Sequence, residues 1–209
     1  LVVDDYIFIE GGHDIYGREA RPLDEGALRR AVQARLGKVD AFAVSDYLGV
    51  RNPAHELRAR EIIAGLTDLP VTCGHELGED LNSIRRATTV ALNGRLIPLL
   101  RDLLLALQRA LAQQGIAGPL MLIKGDGSLM SAEMALQHPV ETILSGPAAS
   151  VLGAKYLSER EDLLVVDMGG TTTDLAILRK GRPRANLQGA WVGGWRTLVQ
   201  AVDTRSVGL

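Results

Sequence analysis

The strongest signal in the sequence is LLVVDMGGTTTDLAIL, residues 163–178. Two apolar runs, which are typical of strands, flank a polar segment that begins and ends with aspartate. Its two glycines allow a tight turn and a close approach of the backbone to a ligand. The amide N–H groups that follow can point into one concavity and bind an anion. The pattern predicts a hairpin that holds phosphate through the backbone and hydroxyl groups of Gly169, Gly170, Thr171, Thr172 and Thr173.

Asp167 and Asp174 border this turn and are the candidate magnesium ligands and catalytic carboxylates. A hard cation such as Mg²⁺ prefers oxygen ligands, and Asp167 at the end of a strand could hold it through water. The turn is not a Walker A loop, because no Gly-Lys-Ser/Thr follows, nor a Rossmann fingerprint, because a strand follows the glycines. The alternative interpretation is an ordinary hairpin with a glycine turn.

The rest of the chain alternates between strand and helix patterns, which predicts an α/β fold with a mixed sheet flanked by helices. Asp24 is placed to cap a helix through about Leu36, and Pro53 to open a helix that ends near Leu66. A long helical pattern covers 82–114, with Pro98 expected to kink or divide it. Strands are expected at 1–10, 39–44, 70–74 and 120–125, and a short helix is expected from Ser131.

Composition excludes several classes of function. A formal net charge of −2 gives no electrostatic footprint for nucleic acid or an anionic membrane. No apolar run reaches the roughly 20 residues that span a bilayer, and the N-terminus lacks the features of a signal peptide. The single cysteine, Cys73, fits a reducing, cytoplasmic setting and is expected to be a buried apolar residue. Both ends look cut, so we expect a piece of a longer polypeptide.

Several stretches together resemble the hydantoinase/oxoprolinase family, and specifically its hydantoinase A-type subunit. They cover nearly the whole chain from about Gly11 onward. VVDMGGTTTD alone is similar to the second phosphate motif of the wider actin-like ATPase (ribonuclease H-like) superfamily. Together with ETILSGPAAS, it makes the resemblance specific to the hydantoinase/oxoprolinase family. The matching stretches are NPAHELRAREII, LPVTCGHEL, RRATTVALNGRLIP, PLMLIKGDGSLM, PVETILSGPAASVLGA and VVDMGGTTTD.

The resemblance implies an incomplete actin-like ATPase lobe at 76–209, truncated at its C-terminus, after an α/β segment at 1–75 that belongs to or precedes the first lobe. It implies ATP and Mg²⁺ as cofactors, and opening of a cyclic amide such as a hydantoin or 5-oxoproline by phosphorylation of its oxygen. A hydantoinase B-type second subunit and an oligomer are further expectations. The family also carries an earlier phosphate hairpin, which this chain lacks, so the fragment alone is expected to bind ATP poorly.

Two other segments are candidate site elements. Ser145 and Gly146 stand at a helix start whose free N–H groups could face a phosphate, although close helix-to-sheet packing explains small residues there equally well. Lys124 and Asp126 follow a strand, where ligands of open α/β sheets bind. Lysine could neutralise phosphate and aspartate could act as a base; a solvated turn is the alternative. The family more often has a Gln-Ser-Asn/Asp-Gly-Gly run here, so the resemblance does not identify the substrate.

The four histidines are scattered along the sequence and lack metal-ligand spacing, and His55 is expected to be structural. His75 with Glu76, just after a strand, is the first pair to test for metal, although a structural role is favoured for it. Arg85 and Arg86 are candidates either for clamping an acidic substrate or for a surface or inter-helix ion pair. Three functions compete with the amidohydrolase: a small-molecule kinase of the same superfamily, a ketone carboxylase subunit, and a non-catalytic nucleotide-dependent activator or scaffold subunit.

Overall fold

A computed structural model describes residues 5–208. The chain forms two compact units, one comprising residues up to Ala106 with Trp191–Leu198 and the other Leu107–Ala190 with the residues from Val199 onward. The domain boundary expected between 75 and 76 stays a prediction. Among residues 5–208, no helix has both the length and the apolar character needed to cross a membrane.

Helices and short strands alternate along the chain, as predicted. The helices are α1 Glu25–Gln33, α2 Ala54–Ala64, α3 Ser83–Gln113, α4 Ala132–Gln137 and α5 Ser145–Ser158, and 3₁₀ turns occupy Gly74–Glu76 and Pro139–Thr142. The strands are β1 Gly12–His13, β2 Glu19–Arg21, β3 Phe42–Val44, β4 Val71–Cys73, β5 Met121–Ile123, β6 Leu129–Ser131, β7 Leu163–Met168, β8 Thr172–Arg179, β9 Arg182–Pro183, β10 Ala185–Asn186, β11 Trp191–Val192, β12 Trp195–Arg196, β13 Ala201–Val202 and β14 Thr204–Gly208.

The first unit is built around a parallel pair of strands. β3 and β4 pair in parallel, with Phe42 opposite Val71. The carboxylate of Asp24 accepts a hydrogen bond from the Ala27 amide at 2.8 Å and caps α1 as predicted. Helices α1 and α2 bury the apolar cluster Leu28, Val32, Ala59, Ile62 and Ile63.

The second unit contains an antiparallel sheet in the order β14-β8-β7, with β9 also paired to β8. Helix α5 covers one face of this sheet. The shared core consists of Ala148, Val151, Val165, Ala176, Leu178 and Val202. The fold class is α/β as predicted, and its parallel and antiparallel strand pairs lie in separate small sheets.

Three local predictions need correction. Residues 1–4 of the expected N-terminal strand lie outside the described residues, and residues 5–10 form no strand, with Phe8 90% exposed and unpaired by any described strand. Helix α1 ends at Gln33 rather than Leu36, because turns carry the chain to Gly37, where φ is +74°. Pro98 lies inside α3 and does not divide it, whereas the expected kink stays a prediction.

A buried polar network fixes the loop that follows β3. Glu56 of α2 and Arg86 of α3 are 1% and 0% exposed. The Glu56 carboxylate accepts hydrogen bonds from the Asp46 amide at 2.7 Å and the His75 amide at 2.8 Å. The Arg86 guanidinium donates to the carbonyls of Asp46 and Tyr47, both at 2.7 Å. Arg86 is therefore a buried positioning residue, neither the substrate clamp nor the ion pair that the sequence suggested.

Candidate phosphate and magnesium site

The predicted hairpin is present, and it sets the two aspartates side by side. In the antiparallel register of β7 and β8, Asp167 lies directly opposite Asp174. Opposite residues of an antiparallel pair point to the same face, with Cβ atoms about 4.5–5.5 Å apart. Two carboxylates therefore share one small area of surface, which is a donor set that a divalent cation can bridge.

The carboxylates lie on the face of the sheet that α5 covers. Side chains alternate along a strand, so Asp167 shares a face with buried Val165, and Asp174 with buried Ala176. The hydroxyl of Ser150 in α5 donates to Asp167 Oδ2 at 2.6 Å, and that of Ser206 in β14 donates to Asp174 Oδ1. These two hydroxyls orient the carboxylates and leave each with free lone pairs for an ion or its water.

Some amide groups of the turn between β7 and β8 are hydrogen-bonded within the turn, and others are open to a ligand. The Gly169 N–H donates to the Thr172 carbonyl at 2.8 Å and so closes the turn. Within the described part of the chain, the N–H groups of Gly170 and Thr171 have no hydrogen-bond partner, and both residues are exposed. A Cβ atom added at Gly170 would meet nothing within 4 Å. The open side of the turn is therefore the Gly170–Thr171 peptide, with Thr172 exposed and Thr173 half-buried beside it.

The start of α5 lies at the same end of the sheet as this turn. Ser150 contacts Asp167 near the turn, whereas the Lys155 ammonium, farther along α5, donates to the Gly181 carbonyl at the opposite end of β8. Helix α5 therefore runs with its N-terminus toward the Gly169–Thr171 turn. The helix begins at Ser145 without a side-chain cap, and Gly146 is exposed. Uncapped N–H groups at a helix start favour a bound anion.

The Lys124 turn is a compact, ion-paired structure. Lys124 Nζ lies 2.6 Å from Glu141 Oε2 and 3.6 Å from Asp126 Oδ2. The amide and hydroxyl of Ser128 donate to Asp126 Oδ1 at 2.8 and 2.7 Å. A Cβ atom on Gly125 would lie 2.2 Å from the Ile143 carbonyl oxygen, so only glycine fits. No described hydrogen bond or ion pair joins this turn to the aspartate pair.

Both charged groups of this turn are stabilised in their ionised forms. Partial burial opposes the charge on Lys124, but the hydrogen bond to Glu141 and the charges of Glu141 and Asp126 raise its pKa above the ordinary value. Partial burial likewise opposes ionisation of Asp126. The hydrogen bonds from Ser128 and the Lys124 charge outweigh it and lower the pKa of Asp126. The turn presents a fixed carboxylate beside a fixed ammonium.

Three partners of the site were missed by sequence reasoning. Ser150 and Ser206 hold the aspartates, and Glu141 holds Lys124. Ser150 belongs to the small-residue segment at the start of α5, which the sequence indicated only as a helix N-terminus that could face a phosphate. Ser206 and Glu141 carry no local signal, because strand pairing and tertiary packing bring them in from distant positions.

Comparison with known proteins identifies the family. Residues 86–209 match the Hydantoinase/oxoprolinase family, and residues 1–67 match the Hydantoinase/oxoprolinase N-terminal region. Caprolactamase subunit alpha of Pseudomonas jessenii is 30% identical over 171 residues, 79% of this chain and 25% of the relative. The acetophenone carboxylase gamma subunit of Aromatoleum aromaticum is 27% identical over 205 residues, 93% and 28% of the two chains.

A solved structure shows the same architecture. The crystal structure of the ATP-dependent caprolactamase from Pseudomonas jessenii superposes with a TM-score of 0.79 and 27% identity, covering 96% of this chain and 30% of the other. The chain thus forms part of an actin-like ATPase-type fold, and it belongs to the hydantoinase/oxoprolinase family. It spans about a quarter of the length of the curated relatives it matches.

Proposed function

We propose that the full protein is an ATP-dependent enzyme that opens a cyclic amide of the hydantoin or 5-oxoproline type. The observation that carries the proposal is the Asp167–Asp174 pair beside a turn with free amide groups. A purely structural hairpin gains nothing from two like charges placed directly opposite each other, since such pairs are destabilising. The family and its ATP-dependent caprolactamase relative agree with this assignment.

In this proposal the hairpin holds the triphosphate and its ion. Asp167 and Asp174 bind Mg²⁺, directly or through its water, because their oxygens suit a hard cation. Phosphate oxygens accept hydrogen bonds from the Gly170 and Thr171 amides and from the threonine hydroxyls of the turn. The N-terminus of α5, at Ser145 and Gly146, adds its dipole at the same end of the sheet.

The chemistry follows from the weak electrophilicity of an amide carbon. Transfer of the γ-phosphoryl group to the amide oxygen breaks its bond to ADP and forms an O-phosphorylated imidate. Water then adds to the carbon, and the ring C–N bond breaks as the nitrogen takes up a proton, which leaves an acyl phosphate. A second water hydrolyses the acyl phosphate to the ring-opened acid and inorganic phosphate. We place the substrate near the Lys124 turn, where the ammonium would offset developing negative charge and Asp126 would accept a proton from water.

Ketone carboxylation is the second candidate function, because a relative covering most of this chain is an acetophenone carboxylase subunit. It would share the ATP-dependent phosphorylation of a carbonyl oxygen. Both relatives are named as subunits, so we also propose a second, hydantoinase B-type subunit and an oligomeric assembly. A kinase that leaves phosphate on its product and a non-catalytic nucleotide-dependent subunit remain the alternatives.

A product analysis separates these functions. The full-length protein, with its partner subunit if it requires one, is incubated with ATP and Mg²⁺ plus hydantoin, 5-oxoproline, or a ketone with bicarbonate. ADP, free phosphate and the organic product are then quantified. The proposal predicts free phosphate and a ring-opened acid in equal amounts. A phosphorylated product indicates a kinase, a carboxylated ketone indicates a carboxylase, and nucleotide binding without turnover indicates a switch subunit.

A further inference from the structure

Four segments of the first unit bring two histidines and two carboxylates together. His13 lies in β1 and Glu19 opposite it in β2, Asp46 lies in the loop after β3, and His55 lies in the first turn of α2. The imidazole rings of His13 and His55 are 4.2 Å apart. His13 and His55 are far apart in the sequence, and it is the fold that brings them together.

The distances between the polar atoms are short. His13 Nδ1 is 3.0 Å from Asp46 Oδ2, and His55 Nε2 is 2.9 Å from Glu19 Oε1. His13, Asp46 and His55 each offer one ligand atom, and all three atoms lie within 4.8 Å of one another. Ligand atoms around a tetrahedral zinc ion lie about 3.4 Å apart, given bonds of about 2.0–2.1 Å. For the three ligand atoms to reach the spacing of a zinc site, their side chains must shift by about 1 Å.

The ligands are already fixed by their surroundings. The side chain of His13 is 1% exposed and that of Asp46 13%. The Asp46 backbone is held on both sides by the buried Glu56 carboxylate and Arg86 guanidinium. Such outer contacts orient metal ligands in proteins.

The β1–β2 hairpin lacks an apolar anchor that could explain the cluster as ordinary core packing. Ile15 and Tyr16 at its tip are 69% and 76% exposed, and β2 is exposed throughout. His13 is the buried residue of this hairpin. What attaches the hairpin to α2 and to the loop after β3 is the polar cluster, together with the hydrogen bond from Asn52 Nδ2 to the Gly17 carbonyl at 2.9 Å.

We propose that His13, Asp46 and His55 bind one divalent transition-metal ion of the Zn²⁺ class, with Glu19 completing the charge balance at the edge of the site. Two neutral imidazoles and two carboxylates carry a charge of −2, which a divalent ion neutralises. Imidazole nitrogen favours zinc-like ions over Mg²⁺, so this site differs in chemistry from the oxygen-only aspartate pair. The ion would clamp the hairpin to the rest of the unit.

A second cluster, Glu56, Cys73 and His75, does not compete for this role. The Glu56 oxygens already accept hydrogen bonds from the Asp46 amide and from both the amide and Nδ1 of His75. Burial raises the pKa of the Cys73 thiol to about 12, so the thiolate that a metal needs is disfavoured.

The test is a zinc titration of the full-length protein after removal of metal with a chelator. Millimolar Mg²⁺ is kept present to occupy oxygen-only sites, and bound zinc is measured by competition with a chromophoric chelator. We expect the double variant His13→Gln/His55→Gln to bind one equivalent of zinc less than the wild type, and Asp46→Asn to bind that equivalent at least tenfold more weakly. Glu19→Gln should weaken it about 10–100-fold. Co²⁺ substitution should give a visible spectrum without a thiolate charge-transfer band.

Matched controls separate loss of ligands from loss of structure. His138→Gln removes a histidine from the second unit and Cys73→Ser removes the thiol, and both should bind zinc like the wild type. Circular dichroism checks the fold of each variant, and Asp46→Asn keeps both the size of the side chain and a hydrogen-bonding group for His13. Zinc binding that is absent in the wild type, unchanged in Asp46→Asn and the double variant, or abolished by Cys73→Ser would overturn the proposal.

Discussion

Asp167 of β7 and Asp174 of β8 are directly opposite each other, and each accepts a hydrogen bond from a serine hydroxyl of a different neighbouring element. Like charges in this arrangement repel, and hydroxyl donors offset only part of that repulsion. A cation between the carboxylates removes the conflict. We therefore expect the local stability of the hairpin to depend on a bound divalent ion.

Mg²⁺ should stabilise the wild-type protein and not the Asp167→Asn variant. The substitution keeps the size of the side chain but removes one of the two charges that attract the ion. Without Mg²⁺ we expect Asp167→Asn to be equal to or a few tenths of a kcal/mol more stable than the wild type, because the repulsion is gone. Thermal unfolding at increasing Mg²⁺ concentration checks both statements. An equal rise of Tm in both proteins would show that Asp167 does not bind the ion.

Gly170→Ala should weaken ATP binding without affecting the fold. An added Cβ atom meets nothing within 4 Å, so the unliganded protein accommodates it, whereas a phosphate seated on the turn would not. We expect at least a tenfold loss of ATP affinity and unchanged thermal stability in the full-length protein. Gly153→Ala is the matched control, since its Cβ atom also meets nothing, and it should bind ATP normally.

Removing the buried carboxylate of Glu56 should destabilise the protein by about 2–4 kcal/mol, because several donors lose their acceptor inside the protein. Urea unfolding of Glu56→Ala measures this. Glu61→Ala on the same helix is the control: its side chain is 66% exposed and pairs with Arg58 at the surface. That change should cost no more than about 0.5 kcal/mol. Similar losses in the two variants would show that Glu56 does not organise the loop.

Cys73 should be unreactive toward thiol reagents at pH 8 until the protein unfolds. Burial raises the pKa of its thiol from 9.0 to about 12, so the folded state disfavours the thiolate. Between these two values the unfolded chain loses the proton and the folded protein keeps it. Stability should therefore fall as pH rises through this window, by up to about 1.4 kcal/mol per pH unit. Cys73→Ala should lack this contribution, so the difference between the two unfolding curves isolates it.

Local chemistry explains what could be predicted from the sequence. Asp24 and Ser131 cap helices through their own side chains, and both helix starts are where the sequence places them. The hairpin at 163–178 was recognisable because two apolar runs border a glycine turn. The Asp167–Asp174 register then follows from the length of that turn. The α/β fold class rests on the same alternation of patterns.

The remaining errors come from interactions that are distant in sequence. The 5–10 segment has the residue types of a strand, but a strand also needs a neighbour to pair with. His13 and His55 meet through folding of β1 against α2, which no spacing rule encodes. Arg86 looks like a surface residue of a long helix, yet its guanidinium is buried because carbonyls of a loop about 40 residues earlier receive it.

A crystal structure of the full-length protein with Mg²⁺ and a non-hydrolysable ATP analogue tests the phosphate and magnesium site most directly. We expect Mg²⁺ within coordination or water-bridged distance of Asp167 and Asp174. Phosphate oxygens should lie within about 3 Å of the Gly170 and Thr171 amide nitrogens. A nucleotide bound elsewhere, with the Asp167–Asp174 pair free of metal, would contradict the assignment of this site.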